Sequence, residues 1–510
     1  MPGEPLVLEC QPLSLEDVES VARGMRRVRI GAGAKEAMTK ARAVIEHLAG
    51  GPDPLYGVNT GFGSLAGTRI EPRMLGEMQR NLIRSHAAGV GEPLPDDLVR
   101  GTLLVLVASL CRGLSGVRAE LADRVVDLLN HSITPIVPSR GSVGASGDLA
   151  PLAHAALVLI GEGEARVGGR VCSGAEALSA CGLEPVALQS KEGLALVNGT
   201  HLMCAMGALT LCDVGRLYDA AIAAAAMAMD ACRATDAFLD DRLHAARAQV
   251  GQRRVAEMLR RQLAGSRIVA DHKTDDPRVQ DPYSLRAIPP VLGAVLDTIQ
   301  FVNEVFRREL GAVTDNPLVF AGTAEVIAGS NFHGLPLALA LDNLTIAIAH
   351  LAGISERRIN WVLTASDSEN PVNIHLSPQP GLHSGLMLTQ YTAAACCNEL
   401  QMLAGPASVA NIPTSAGMED YNSMGVTSAH QARAAVDLAT RVVAIELLVM
   451  TEAMEYQRPL TSGAGVEHTY GLVRSIVPRL TADRPPSPDI EAIAGLIDTG
   501  AFESEAKLRL

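Results

Sequence analysis

Between Asp219 and Asp230 the chain runs Ala220-Ala-Ile-Ala-Ala-Ala-Ala-Met-Ala-Met229 without a polar side chain. A helix apolar on every side must be wrapped by protein, and this run is too short to cross a bilayer. From roughly residue 200 onward the sequence continues in long helical runs with few of the period-two alternations that mark strands. The expected fold is therefore mainly α. A long central helical bundle is assigned to residues 201–510, and a smaller loop-rich, mostly helical N-terminal region to residues 1–200. At 510 residues the chain exceeds one ordinary core, which fits two regions or one elongated helical body.

Several shorter signals fill in this outline. Ser14 is placed to cap Leu15-Glu-Asp-Val-Glu-Ser-Val-Ala, and short helices are expected up to about Leu48. Leu98 to Leu129 reads as helical with a break at Gly113 to Gly116, and Leu202 to Leu211 as an apolar helix. Leu335 to Ile354 is a mostly apolar helix interrupted by Asp342-Asn343. The stretch with most chemical content is Gly141-Ser-Val-Gly-Ala-Ser-Gly-Asp-Leu-Ala-Pro151, whose glycines allow a tight bend. Asp148 is placed to cap, and Pro151 to enter, a helix running to Gly161, which sets the loop at a positive helix end.

Spacing excludes two familiar readings of that loop. A nucleophile elbow needs Gly two residues after the Ser, where Asp148 stands, and a phosphate loop needs Gly-Lys-Ser/Thr. A third reading uses the backbone: the Gly147 nitrogen attacks the Ala145 carbonyl, and loss of the Ser146 hydroxyl leaves an exocyclic methylidene. The product is an electrophile made from protein.

Gly141-Ser-Val-Gly-Ala-Ser-Gly-Asp-Leu-Ala-Pro-Leu-Ala-His154 resembles the signature of the histidine, phenylalanine and tyrosine ammonia-lyases, which form 4-methylidene-imidazol-5-one (MIO) from Ala-Ser-Gly. The resemblance extends over nearly the whole chain. It includes Tyr56-Gly-Val-Asn-Thr-Gly-Phe-Gly63, Lys191-Glu-Gly-Leu-Ala-Leu-Val-Asn-Gly-Thr200, Val279-Gln-Asp-Pro-Tyr-Ser-Leu-Arg286, Thr314-Asp-Asn-Pro-Leu318 and Asn331-Phe-His333. It implies MIO formed from Ala145, Ser146 and Gly147, with no external cofactor and no metal. It also implies Tyr283 and Tyr56 as acid–base candidates, with Tyr283 the preferred base and Tyr56 assisting. Asn198 and Gln280 would hold the electrophile and the amine, Arg286 the carboxylate, and Phe332 and Met387 would line the substrate.

Two positions bear on the substrate. Ser85-His86 resembles the pair of histidine-specific members, and Glu419 stands where histidine lyases have glutamate and phenylalanine and tyrosine lyases commonly glutamine. A carboxylate accepts a hydrogen bond from imidazole, which a phenyl ring does not offer. The expected reaction is elimination of ammonia from L-histidine to give trans-urocanate. Gly417-Met418 and Asn370-Pro-Val-Asn-Ile-His-Leu376 depart from the family pattern. The alternatives are a tyrosine or phenylalanine ammonia-lyase, an MIO-dependent aminomutase, or an inactive structural homologue.

Local pattern adds one independent argument. Asp281-Pro282 reads as a helix opening, with Asp281 the cap and Pro282 the first position, after which Tyr283 and Arg286, three residues apart, share a face. Arg is the preferred group for a two-pronged grip on a carboxylate. The net charge of −13 argues against nucleic acid as a partner. The start Met1-Pro-Gly-Glu-Pro lacks the basic and apolar parts of a secretory signal, and nine cysteines without a Cys-x-x-Cys suit a cytoplasmic protein with no membrane association. The family resemblance further implies a homotetramer whose active sites combine residues of several chains.

Overall fold

The computed structural model describes residues 4–503 apart from Phe62, Ser64, Leu65, Ala66 and Asp275. Met1-Pro-Gly at the start, and Phe62 of the Tyr56–Gly63 string, lie outside the described residues. The fold is mainly α, with long helices at His201–Ala231, Ile288–Glu309, Leu335–Thr364 and Gly425–Met454. Ala220 to Met229 lies inside the first of these, and each of its residues is 3% exposed or less. Leu335–Thr364 is long and apolar enough to cross a bilayer, and 61% of its most apolar window is buried within the protein.

Contacts divide the chain into two compact units, each made of separated segments. The first comprises Met1–Cys212, Glu304–Asp342 and Pro406–His430, and the second Asp213–Asn303, Asn343–Gly405 and Gln431–Leu510. The first stretch thus runs a little past the boundary drawn at residue 200, and two later stretches return to it.

All the strands among the described residues belong to the first unit. Leu6–Leu8 pairs in parallel with Val28–Ile30, and Thr134–Pro135, Glu164–Val167 and Arg170–Ser173 form an antiparallel trio. The first pair corrects the expectation of helices alone before Leu48. Three-residue strands are too short to write a visible alternation into the sequence. Ser14 does cap Leu15–Ala22, exchanging hydrogen bonds with Asp17 in a capping box. The break at Gly113–Gly116 likewise separates helices Asp96–Cys111 and Ala119–Asn130.

What positions the chemistry is a trio of mutually packed helices in this unit: Leu75–His86, Leu149–Leu159 and Glu192–Val197. His86 ends the first, Gly147-Asp148 precedes the second and Asn198 ends the third. Asp148 corrects one expectation. It stands at the N-cap position of Leu149–Leu159 but makes no side-chain bond to that helix. Its buried carboxylate instead accepts from the Leu202 and Met203 N–H groups, at 2.9 and 3.0 Å, and so caps the long His201–Ala231 helix. Those N–H groups open a helix and have no partner within it, so they are the donors a buried carboxylate can capture.

The second unit is helical among the described residues. Its interior holds an ion pair between Arg358 and Glu446, both fully buried, at 2.5 and 2.8 Å, with Ser355 Oγ accepting from the same guanidinium. Asp230, at the end of the apolar run, is buried too. Desolvation pushes its carboxyl up to about 6, while the hydroxyls of Ser462 and Ser266 pull it back.

Candidate active site

Gly147 has φ +78, and a Cβ built there would lie 2.1 Å from the Gly199 carbonyl oxygen. Glycine is therefore required, because the loop and the Asn198–Thr200 segment run against each other as an isolated parallel bridge. The Asp148 N–H donates to Gly199 O at 2.8 Å and the Gly199 N–H to Ser146 O at 3.3 Å. Ala145 is buried and Ser146 half-buried, so the tripeptide is held from behind while the serine side chain remains accessible.

Ser146 Oγ donates to Glu419 Oε1 at 3.2 Å across 273 residues of chain. The other carboxylate oxygen accepts from Thr414 Oγ1 at 2.9 Å, and the Thr414 and Glu419 backbones pair in both directions. The turn between them passes through Ser415 and Ala416 at φ 53 and Gly417 at φ +84. The departure at Gly417-Met418 thus falls in the turn that presents Glu419. Thr414 had no role in the sequence reading, and its only signal is its place five residues ahead of the glutamate.

Tyr56 is half-buried, and its Oη accepts from the Gly63 N–H at 3.4 Å. Burial raises its phenol above the ordinary value of 10; the Gly63 bond opposes this and the Glu419 charge adds to it. Tyr56 is therefore a protonated phenol at neutral pH. His86 is held below its ordinary 6.5 by burial, partly offset by the Leu82 backbone and the same Glu419 charge. Ser85 Oγ donates to Leu82 O at 3.0 Å and lies 3.1 Å from His86 Nδ1. With its one hydrogen already given, Ser85 accepts from Nδ1–H, which leaves Nε2 of the neutral ring as an acceptor.

Asn198 is 2% exposed, and its Nδ2 donates to Asp315 Oδ1 at 3.3 Å and Asn316 O at 3.2 Å. Only its carbonyl oxygen is left for a ligand. Phe332 is half-buried in a segment tied to the Glu419 loop by its neighbour: His333 Nε2 meets Tyr421 O at 3.0 Å, and the two rings stack at 6.2 Å. The first unit therefore gathers Ala145, Ser146, Gly147, Tyr56, His86, Asn198, Phe332 and Glu419.

Gln280, Tyr283, Arg286 and Met387 belong to the second unit. Tyr283–Arg286 is a single helical turn, and the Arg286 guanidinium lies over the Tyr283 ring at 4.5 Å, so the two share a face as their spacing predicts. The expected cap at Asp281 is not formed. Pro282 is the N-cap, and the buried Asp281 carboxylate accepts from Thr235 N at 3.1 Å and Thr235 Oγ1 at 2.7 Å, two donors that one short turn does not supply. Tyr283 is 73% exposed, Gln280 is exposed and Met387, first residue of the Met387–Leu403 helix, is half-buried. Tyr283 also lines an open groove of about 620 Å³ together with Ile346, His350 and Ile354. A larger open pocket of about 1070 Å³, lined by Asp236, Arg242, Arg260 and Lys273 among others, holds none of the predicted residues.

The chain is similar to known proteins over nearly its whole length. The model of the aromatic amino acid lyase family matches residues 13–475. The histidine ammonia-lyase of Myxococcus xanthus is 45% identical over 495 residues, 97% of each chain. The crystal structure of histidine ammonia-lyase from Trypanosoma cruzi superposes with a TM-score of 0.90 at 37% identity, covering 98% of this chain and 94% of the other. That of tyrosine aminomutase from Streptomyces globisporus gives 0.91 at 35% identity, covering 98% of both. On the family match and on near full-length identity to its relatives, this chain belongs to the aromatic amino acid lyase family.

Proposed function

We propose that the chain is a histidine ammonia-lyase, converting L-histidine to trans-urocanate and ammonia with an electrophile cyclised from Ala145-Ser146-Gly147. The observation that carries the substrate is Glu419. Its carboxylate lies 3.2 Å from the serine that would become the reactive carbon, and its charge is felt at His86. An acceptor pair of this kind suits an imidazole, whose ring nitrogens can donate, better than phenyl.

The loop fits the group it would carry. Gly147 offers a nitrogen unhindered by a side chain, and backbone contacts fix the Ser146 carbonyl and the residue after Gly147. The Leu149–Leu159 helix begins just beyond and favours negative charge at its start. The MIO group that Ala145, Ser146 and Gly147 would form would supply an electrophilic methylidene carbon, the chemistry that makes ammonia a better leaving group.

The other residues then bind, orient and move protons. Tyr283 Oη takes the β-proton, while Tyr56 keeps its own proton, as its raised phenol requires, and donates. Arg286 gives its Nε to Asp281 O at 2.9 Å, which leaves its Nη groups for the substrate carboxylate. Asn198 Oδ1 and Gln280 receive the amino group. Phe332 and Met387 pack against the substrate, and His86 with Glu419 selects the ring.

Assignment of the proposed residues to different units fits a homotetramer with composite sites. The second unit exposes the apolar side chains of Phe301, Ile346, Leu388, Tyr391 and Met402, which a second copy would cover. All nine cysteines are free thiols, which suits the cytoplasm. The deciding assay offers purified protein L-histidine, L-tyrosine and L-phenylalanine in parallel, with Ser146→Ala as control, following the near-ultraviolet absorbance of the product. Urocanate from histidine alone, lost in the variant, is expected. Coumarate or cinnamate would overturn the substrate, and a β-amino acid would make the enzyme an aminomutase.

A further inference from the structure

Two of the strings that mark the family, Lys191–Thr200 and Thr314–Leu318, contribute Asn198 alone to the substrate site proposed above, yet they meet in the interior behind the Ala145–Gly147 loop. Lys191 Nζ lies 2.6 Å from Asp315 Oδ2, and the two side chains are 0% and 2% exposed. Asp315 Oδ1 accepts from Asn198 Nδ2 and, at 2.6 Å, from the Asn316 N–H. Two residues further along, the Thr200 N–H donates to Thr314 Oγ1 at 3.2 Å, and Thr200 Oγ1 donates to Glu309 Oε1 at 2.5 Å. Residues 198 and 200 are thus pinned from one side by side chains of the 309–315 stretch.

Between them sits Gly199, whose other side is the Gly147 bridge. It has φ +128, and a Cβ there would meet His201 Cε1 at 2.4 Å and Thr314 Oγ1 at 2.7 Å. Nothing larger fits, so displacement of the 309–315 stretch would be transmitted to Gly199. His201 closes the back of this space with a ring 2% exposed that burial pushes down to about 4, so it is neutral. The charged groups here each have a partner: Lys191 has Asp315 in contact, and Glu309 accepts from Thr200 Oγ1.

We propose that Glu309, Thr314, Asp315 and Lys191 form a clamp that acts through Asn198–Thr200 to hold Ala145-Ser146-Gly147 in the bend required for self-cyclisation. The inference rests on the proposed electrophile. In the step, the Gly147 nitrogen bonds to the Ala145 carbonyl carbon. The carbonyl oxygen departs as water, taking the Gly147 N–H and Ser146 N–H hydrogens, and a C=N bond to the Ser146 nitrogen remains. The Ser146 hydroxyl then leaves with its Cα hydrogen as a second water, giving the methylidene. No oxidant is consumed. An open peptide gains little by approaching its own carbonyl, so a fixed near-attack geometry is what a rigid clamp contributes. These are positioning residues, since none touches the three reacting residues directly.

The test follows intact mass of full-length protein with time after synthesis. Wild type should end two water molecules light. Thr314→Val, which keeps the shape but removes the acceptor for Thr200 N–H, should form the lighter species about tenfold more slowly while the helical circular dichroism is unchanged. Thr314→Ser should restore the rate. Lys191→Met combined with Asp315→Asn removes both charges together and should also slow the loss. A wild type without the two-water deficit would sink the electrophile and the clamp with it. A normal deficit in wild type, with folded Thr314→Val and the double variant cyclising at the wild-type rate, would overturn the clamp alone.

Discussion

The residues assigned to the reaction fall into two groups that differ in how they are held. In the first unit, Asn198 is buried between Asp315 and Asn316, Glu419 is gripped by Thr414, and the Ser146 loop is bridged to Gly199. In the second, Tyr283 is 73% exposed and Gln280 exposed, and Arg286 has one bond to a backbone carbonyl and a stacking contact with Tyr283. One group is organised by its own unit. The other is presented on a surface, as residues are when a second chain completes the site. Substitutions should therefore separate: in the first group activity and stability fall together, in the second activity falls alone.

The largest effect is expected from Tyr283→Phe, which should lower kcat by roughly 10²–10⁴ as a proton-transfer group is lost. Its Tm should be almost unchanged, because an exposed side chain away from caps and networks contributes within about 0.5 kcal/mol. Mixing folded Tyr283→Phe with Ser146→Ala, each inactive alone, then tests whether the two groups come from different chains. Random subunit exchange would give about a quarter of sites both intact halves, and activity should return toward that fraction. No recovery after verified exchange would mean that each site draws both groups from one chain.

Asn198→Ala should show the opposite signature. It strips a partner from the buried Asp315 and Asn316 acceptors, which costs about 1–3 kcal/mol, so thermal unfolding should move down along with activity. If Tm holds while activity vanishes, the distinction between the groups is lost. Glu419→Gln comes next: losing a charged acceptor for the substrate ring is worth about 1.5–3 kcal/mol, so kcat/KM for histidine should drop roughly 10- to 150-fold, and that for phenylalanine should not.

The same contrast explains what was legible in the sequence. Long-range burial was readable where it was uniform, as from Ala220 to Met229, because such a run leaves no exposed face. The loop at Gly141–Pro151 was readable because glycine spacing reports backbone shape directly. What escaped were the partners. Asp148 stands at the start of one helix yet caps another, and Asp281 turns to Thr235 instead of its own turn. A carboxylate followed by a helix looks the same whichever helix it serves, because the choice depends on donors more than 40 residues away in each case. Thr414 was missed for a similar reason: its value lies in the turn that brings it back to Glu419.

The smallest expected effect is a displacement of the pH profile, and it sharpens the account of Glu419 most. His86 must be neutral for Nε2 to accept, and burial holds it below 6.5, so the acid limb of kcat/KM should lie below pH 6.5. Activity that needs the neutral ring persists as pH falls to that point and is lost beneath it. The Glu419 charge raises both His86 and Tyr56. Glu419→Gln removes that charge, so the His86 limb should move to still lower pH, and the limb set by Tyr56 losing its proton should move down with it. Both limbs shifting in the acid direction would place one carboxylate within range of both groups in the working enzyme. A shift of only one limb would mean that the other group's charge is set elsewhere, and that the cluster around Ser146 is rearranged when substrate is bound.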